Sequence, residues 1–545
     1  MARVIIIGID GATFDLLSPW IDKGKLPSFS KIYKEGAHGP LRSTTPYYSA
    51  PAWVSMVTGC QPGKHGIYDF FRTDTFSKKL VNARMRKVPA IWQYLTDVDK
   101  TSIAVNVPGT YPPDPIKGVM ITGLLTPSPE SSFTYPTSIK KELTKDKLGE
   151  YELEQVGIDD IPKNLYAQYA PEKLVQKIIA TMESHAQVTL KLMQNYPWDF
   201  AMMVFRGTDD AQHLLWNTPE HILTCYKMVD RFLGQFILLF PDDYLLLVSD
   251  HGFEKPKRYL YVNNVLYNEG YLKTIGDPNY NIGNLFMEVF DKVSRWIFRF
   301  LPMEELVRSP LGRKIILSDS RGHNIDFSHT KAFYHSVCSR GIRITLKEKY
   351  KEGIIERAEY QQLREELKQL FLSLKDPETK KPIVQAVYDW EEVYGKDAMN
   401  DPLDLILELH REYGAQELLR SPEGLRYALG HKGQQLSYVT PPGFYDWMGD
   451  HSPYGIFMIH GENVKKNSTL SPHIIDVVPT ALALLKVPIP NRIDGSVLQE
   501  AFSQSIQEHH VDWNQDIQKE PQISSVEKTA IAKLQSQLKK KEKNQ

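Results

Sequence analysis

Cysteine is scarce in this chain, with three in 545 residues: Cys60, Cys225 and Cys338. An odd number at wide spacing builds neither a disulfide framework nor a thiolate zinc motif, and it suits a reducing, cytoplasmic setting. A surplus of either charge is missing as well. The formal net charge of -1 argues against a general binder of nucleic acid or acidic lipid. Long uncharged apolar runs are also absent. The opening run Arg3 to Ile9 is too short for a secretion signal and meets Asp10, so it reads as a first strand. The most hydrophobic later stretch, Ile282 to Leu306, carries Glu288, Asp291, Lys292 and Arg295 among other charges and cannot span a bilayer. Its spacing fits an amphipathic helix with a packing face. No internal repeat is visible.

What is present is ordinary in bulk. The chain is 42% hydrophobic and 24% charged, as globular proteins are. Its length calls for two or three domains, or for large insertions.

The informative stretch is Tyr244 to Gly252, Y-L-L-L-V-S-D-H-G. Its apolar half reads as a strand buried on both faces, as in a parallel sheet. Asp250 and His251 then fall just beyond the carboxyl end of the strand, where open α/β sheets bind ligands. Two other strands end alike. Arg3 to Ile9 runs into Asp10-Gly11. Trp198 to Phe205 runs into Arg206-Gly207-Thr208-Asp209, with His213 four residues after Asp209. In a helix that spacing puts both side chains on one face. Further on, Gly449-Asp450-His451 precedes the apolar run Gly455 to Gly461.

Ser49 precedes Pro51, which suits the first turn of a helix. That helix runs to Thr58, and Gly59 is placed to end it. Ser49 therefore falls at or next to the N-cap. Serine is a good cap, but the same helix end binds anions through free N–H groups and the helix dipole. A hydroxyl held there near a metal is a candidate nucleophile. Helices are expected at 172–194, 219–240, 357–374 and 472–485, and strands at 102–107, 119–122 and 332–346. Three carboxylates, three imidazoles and one hydroxyl suffice for two adjacent divalent ions. Nitrogen and oxygen donors without thiolate point to zinc first, then manganese or iron.

The motifs I-I-G-I-D-G-A-T-F at 6–14, S-A-P-A-W-V-S-M-V-T-G-C-Q-P-G-K-H-G-I at 49–67, D-D-A-Q-H at 209–213, V-S-D-H-G-F at 248–253, G-D-H-S-P-Y-G at 449–455 and D-V-V-P-T-A-L at 476–482 resemble those of the alkaline phosphatase superfamily. Within it they are similar to the type I phosphodiesterase/nucleotide pyrophosphatase family, in its phosphohydrolase/phosphomutase subgroup. The resemblance implies an α/β fold, with a mostly parallel central sheet, helices on both faces and a large cap insertion. The implied division is a core at 1–255 and 441–502, a cap at 256–440 that partly joins the core, and a polar tail at 503–545. It implies one metal held by Asp209, His213 and His451, and a second held by Asp10, Asp250 and His251. Ser49 matches the nucleophile and also touches the second metal. The implied path is ping-pong: Ser49 attacks phosphorus, an alcohol leaves, and water hydrolyses the phosphoseryl intermediate.

Two departures bear on the substrate. Nucleotide pyrophosphatases usually carry an asparagine after the H-G-I-x-D segment; Phe70 stands here, and a donor to a phosphate oxygen is lost. The sulfatase pattern C/S-x-P-x-R lacks its arginine, since Trp53 occupies that position. The mutase signature around the serine is absent too. The leading expectation is a two-metal hydrolase of small-molecule phosphate esters, with neither membrane nor nucleic acid as partner. Phosphoryl transfer to another alcohol, or metal binding without catalysis, remain as alternatives. Phe70 is a candidate substrate contact, and His323, Asn324 and Arg340 are polar candidates in the cap.

Overall fold

The computed structural model describes residues 3–76, 79–153, 171–275, 325–417, 438–439 and 449–513. The stretch 282–306, His323, Asn324 and the tail beyond residue 513 lie outside the described residues.

In chain order the elements that place the site are β1 (Val4–Ile9), β2 (Ala37–Arg42), α1 (Ser49–Thr58), β3 (Ser102–Val107), β4 (Gly118–Thr122), β5 (Thr134–Tyr135), α2 (Pro171–Asn195), β6 (Phe200–Phe205), α3 (Gly207–Leu215), α4 (Pro219–Leu239) and β7 (Tyr244–Val248). After these come β8 (Gly252–Glu254), β9 (Arg258–Tyr261), β10 (Ala332–Tyr334), β11 (Gly341–Ile344), α5 (Arg357–Ser373), β12 (Val384–Asp389), β13 (Leu405–Leu409) and β14 (Tyr413–Gln416). The described chain closes with β15 (Asp450–Ser452), β16 (Tyr454–His460), β17 (Ser468–Thr469) and α6 (Val477–Leu484).

Nine strands form the central sheet, in the order β17-β2-β16-β7-β1-β6-β3-β4-β5. The inner five, β7-β1-β6-β3-β4, are mutually parallel. Their apolar runs alternate between two cores, because successive side chains of a strand point to opposite faces. Ile5, Ile7, Met203, Leu245 and Leu247 pack on one face with α2 and α4. Val4, Ile6, Met202, Leu246 and Val248 pack on the other with α1 and α6. A sheet covered on both faces explains why these strands read as unbroken hydrophobic runs. The chain is thus α/β with a mostly parallel central sheet between helices.

The region between β8 and β15 is organised by itself among its described residues. Among the described residues, none of its strands joins the central sheet. It builds its own antiparallel sheet, β10-β11-β13-β12. Tyr360, Leu363, Leu367 and Phe371 of α5 pack on that sheet in a separate core with Ile342, Leu405 and Leu407. A separate parallel pair, β14 with β9, joins the two ends of this region. The central sheet has no edge free beside β7, since β16 already pairs there.

Candidate active site

Three neighbouring strands aim at one place. β1 lies between β6 and β7, and all three are parallel. Their carboxyl ends therefore bring Asp10, Asp209 and Asp250 to the same rim. α3 begins at Gly207, so Asp209 and His213 sit one turn apart on one helical face. His251 follows Asp250. His451 arrives from the far end of the sequence: β15 pairs antiparallel with β8, setting His451 opposite Phe253. β16 then runs back from this rim, antiparallel to β7. Ser49 is the first residue of α1, and Tyr48 holds the N-cap position without a side-chain cap. The serine is thus one residue inside the helix, and its hydroxyl is not committed to capping. Gly59 ends the helix in the left-handed conformation, with φ 68°.

The side chains form two groups of three. Asp209, His213 and His451 make one; Asp10, Asp250 and His251 make the other; the donor atoms within each group lie within 4.8 Å of one another. In the first group, Nε2 of His451 is 3.3 Å from Asp209 Oδ1, and Nε2 of His213 is 3.6 Å from Asp209 Oδ2. The two Nε2 atoms are 2.9 Å apart. In the second, Nε2 of His251 is 3.3 Å from Asp250 Oδ2 and 3.6 Å from Asp10 Oδ1. It is also 3.9 Å from Asp209 Oδ1, so the groups adjoin. Ser49 Oγ lies 3.2 Å from His251 Nε2.

Two imidazoles reveal their tautomer. Nδ1 of His213 is 3.2 Å from the Gly449 carbonyl, and Nδ1 of His251 is 3.0 Å from the Gly252 carbonyl. A carbonyl only accepts, so Nδ1 of each ring carries a proton, and in the neutral ring Nε2 is then the lone-pair nitrogen. Asp10 and Asp250 are fully buried and Asp209 nearly so. Burial first, then the charges of Asp250 and Asp209, hold the Asp10 carboxyl well above its ordinary range. Asp250 is raised too, by burial above all. Asp10 Oδ1, Asp209 Oδ1 and Asp250 Oδ2 accept no hydrogen bond. Inward lone pairs, orphaned carboxylate oxygens and like charges in a buried space fit cations. A divalent ion with N/O ligands at about 2.0–2.2 Å sets its donors about 3–3.5 Å apart, close to the 2.9–3.6 Å of the pairs within each group above.

Several supporting residues escaped the reading of the sequence. Trp53 of α1 donates its indole N–H to Asp10 Oδ2 at 3.0 Å. Thr208 donates to the Asp10 carbonyl at 2.7 Å, and Gln212 to the Gly11 carbonyl at 2.9 Å. Ser43 donates to the Asp250 carbonyl. Trp53 and Gln212 fall inside motifs quoted above; only the fold shows what they touch. Of the other candidates, Phe70 is half-buried against the apolar cluster that includes Ala50 and Val54 of α1 and is not in either of the two groups of three. Arg340 is buried against Tyr47 and Tyr48.

The rim is a candidate metal centre, and the family of the chain makes it a phosphoric ester hydrolase. The family model described as "Type I phosphodiesterase / nucleotide pyrophosphatase" matches residues 4–398. The chain belongs to that family. The matched span holds six of the seven residues gathered here; His451 lies beyond it. Among solved structures, human ectonucleotide pyrophosphatase / phosphodiesterase 5 is similar at 15% identity, covering 92% of this chain and 100% of its own, with a TM-score of 0.48. The murine counterpart is similar at 14% identity over the same shares, with a TM-score of 0.46. An inactive threonine-to-alanine variant of the murine protein, in complex with AMP, gives 14% over the same shares and 0.47. Nothing among the curated proteins matches the chain.

Proposed function

We propose that this chain hydrolyses small phosphate esters, diesters or monoesters, with Ser49 as nucleophile and two divalent metal ions as cofactors. Asp209, His213 and His451 would hold one ion, and Asp10, Asp250 and His251 the other, with Ser49 at its side. The donor set favours zinc, with manganese or iron next. The observation that carries the reading is the place of Ser49 Oγ, 3.2 Å from His251 Nε2 at the start of α1.

When bound, the two ions supply positive charge to the attacking and leaving oxygens of an in-line displacement. The chain does the rest. Helix geometry leaves the first N–H groups of α1 without helical partners, and the helix dipole favours an anion there. Ser49 Oγ forms a bond to phosphorus as the ester P–O bond breaks and the alcohol departs. Water then hydrolyses the phosphoserine and restores the hydroxyl. Trp53 holds Asp10 in place. Phe70 offers an apolar wall to the second ester group, where a family relative would offer an asparagine amide.

The test is hydrolysis of p-nitrophenyl phosphate beside bis-p-nitrophenyl phosphate, on wild type and Ser49→Ala, with metal analysis of both. Ser49→Ala is expected to lose at least about a thousandfold in kcat while keeping two metal equivalents. Unchanged turnover in the variant removes Ser49 from the mechanism. Faster diester than monoester turnover is expected if Phe70 lines the second ester site.

A further inference from the structure

The turn between β10 and β11 brings one residue to this site that the reaction above leaves unused. Arg340 is 3% exposed. Its φ of 48° is left-handed, a region that long side chains rarely occupy. The turn is tied to the core beside Phe70. Ser336 donates to the Asp69 carboxylate, and the Phe71 N–H donates to the other Asp69 oxygen at 3.0 Å. Ser336 Oγ in turn accepts the N–H groups of Cys338 and Ser339, at 3.1 and 3.2 Å.

The guanidinium lies on the two residues that precede the nucleophile. Arg340 Cζ is 4.3 Å from the centre of the Tyr47 ring and 5.8 Å from that of Tyr48, and Nη1 donates to the Tyr47 hydroxyl. The Tyr48 ring stands 4.5 Å from the ring of His451. A guanidinium has five N–H donors and a permanent charge. Here Nε is buried without an acceptor. Among the described residues, no carboxylate oxygen comes within 4.0 Å of the group.

The other buried arginines are different. Arg86, Arg206, Arg258, Arg343 and Arg364 each meet a carboxylate at 3.0 Å or less. Burying a charge without a partner is strongly unfavourable. An arginine kept in a left-handed turn, buried with no carboxylate in direct contact and the more distant charge of Asp450 facing it, one aromatic ring from His451, has the character of an anion receptor.

We propose that Arg340 receives a second anionic group of the substrate, a carboxylate or phosphate carried beyond the ester that is cleaved. The inference rests on the phosphate-ester reading above and narrows it to esters with two anionic groups. A planar fork suits either group through paired hydrogen bonds. Because Tyr48 separates the guanidinium from His451, the receptor serves a distal group rather than the reacting phosphoryl oxygens.

The test is calorimetric titration of the zinc-loaded, full-length chain with ligands that are not turned over. Phosphonoacetate, 3-phosphonopropionate and 4-phosphonobutyrate are each compared with the alkylphosphonate of equal carbon count. In wild type, at one chain length, the carboxylate is expected to tighten binding about tenfold. In Arg340→Met and Arg340→Asn that gain is expected to fall below about twofold, with alkylphosphonate affinity held within about twofold. Asparagine suits the left-handed turn, so its loss of binding is not a backbone effect. The ligand-free variants are expected to melt within about two degrees of wild type, since each removes a buried charge that no carboxylate contacts directly. No carboxylate gain at any length overturns the proposal. So does a gain that survives in the variants, an equal loss for both ligand series, or a variant that melts several degrees lower. Failure of the phosphate-ester reading shows differently: p-nitrophenyl turnover is absent while the carboxylate gain persists.

Discussion

Single atoms decide much of this site. Trp53 gives Asp10 the indole hydrogen bond that fixes one carboxylate oxygen and leaves Oδ1 for a cation. Trp53→Phe keeps a ring over the sheet and removes only the donor. Partners of this kind tune metal affinity by about 10–100-fold, so competition with a chelator is expected to show one site weakened by about tenfold or more. Equal affinity in both proteins counts against the role. His65 shows a different atom-scale effect. Its Nδ1 accepts the Ile67 N–H at 3.1 Å, and its Nε2 lies 2.8 Å from Ser55 Oγ. The ring is therefore neutral in the folded chain, and burial, with Arg86 nearby, depresses its pKa from 6.5 to about 3. Between those two values the unfolded chain binds a proton that the folded chain refuses. This contribution to stability is whole above pH 6.5 and shrinks as pH falls toward 3, by up to about 1.4 kcal/mol per unit. His65→Gln keeps a donor toward Ser55 and does not titrate. Urea unfolding across that window is expected to show a flatter pH dependence in the variant, and an identical slope would exclude His65 as its source.

Elements carry these atoms, and some were more legible than others. β1, β6 and β7 announce themselves as apolar runs that stop at an acid, because strands buried on both faces have no polar side to interrupt them. Asp10, Asp209 and Asp250 could be placed at one rim for that reason. α1 was legible from Pro51 and Gly59, although Tyr48 rather than Ser49 occupies the N-cap position. β2 was not. Its sequence, A-H-G-P-L-R, has no strand pattern; it is a strand because β16 pairs along its length. β17 pairs only its first two residues, so Pro40 removes no hydrogen bond from that ladder. The three-residue ribbon β8/β15 was also hidden, since pairing across 200 residues leaves no local trace. Gly8 shows how closely the elements fit. A Cβ added there would lie 2.4 Å from the Trp53 ring and 2.8 Å from Val204. Gly8→Ala is expected to destabilise the fold by about 1–3 kcal/mol and to weaken metal binding at the candidate site that Trp53 adjoins. Denaturant unfolding beside metal titration checks both, and an unstrained, fully metallated variant would show that the ring moves freely.

At the scale of the whole molecule, the two candidate ligand groups join parts of the chain that the insertion separates. Asp10 and His451 are more than 400 residues apart, and the described residues between β8 and β15 build a separate sheet with its own core. That is also why the pocket could not be read from the motifs. The candidate ligands recur at strand ends, whereas Arg340 arrives in a turn with no pattern around it, and its meaning comes only from the tyrosines it lies on. The two halves of the rim meet through β15, whose three residues pair only with the three of β8. So short a ribbon has little stability of its own. If His451 shares an ion with Asp209 and His213, removing the metals should release this end of the site first. Binding at about a thousand times Kd contributes about 4 kcal/mol per ion, so chelation is expected to lower Tm by about 3–8 °C in a chain of this length. Hydrogen exchange gives the sharper result. Amides at 449–455 and 207–213 are expected to exchange faster in the chelated protein, while those of β7, buried on both faces, stay protected until global unfolding. Restored zinc should reverse the difference. Uniform loosening of β7 along with β15 would mean that the ions hold the entire sheet, whereas no change at 449–455 would place His451 outside the metal site.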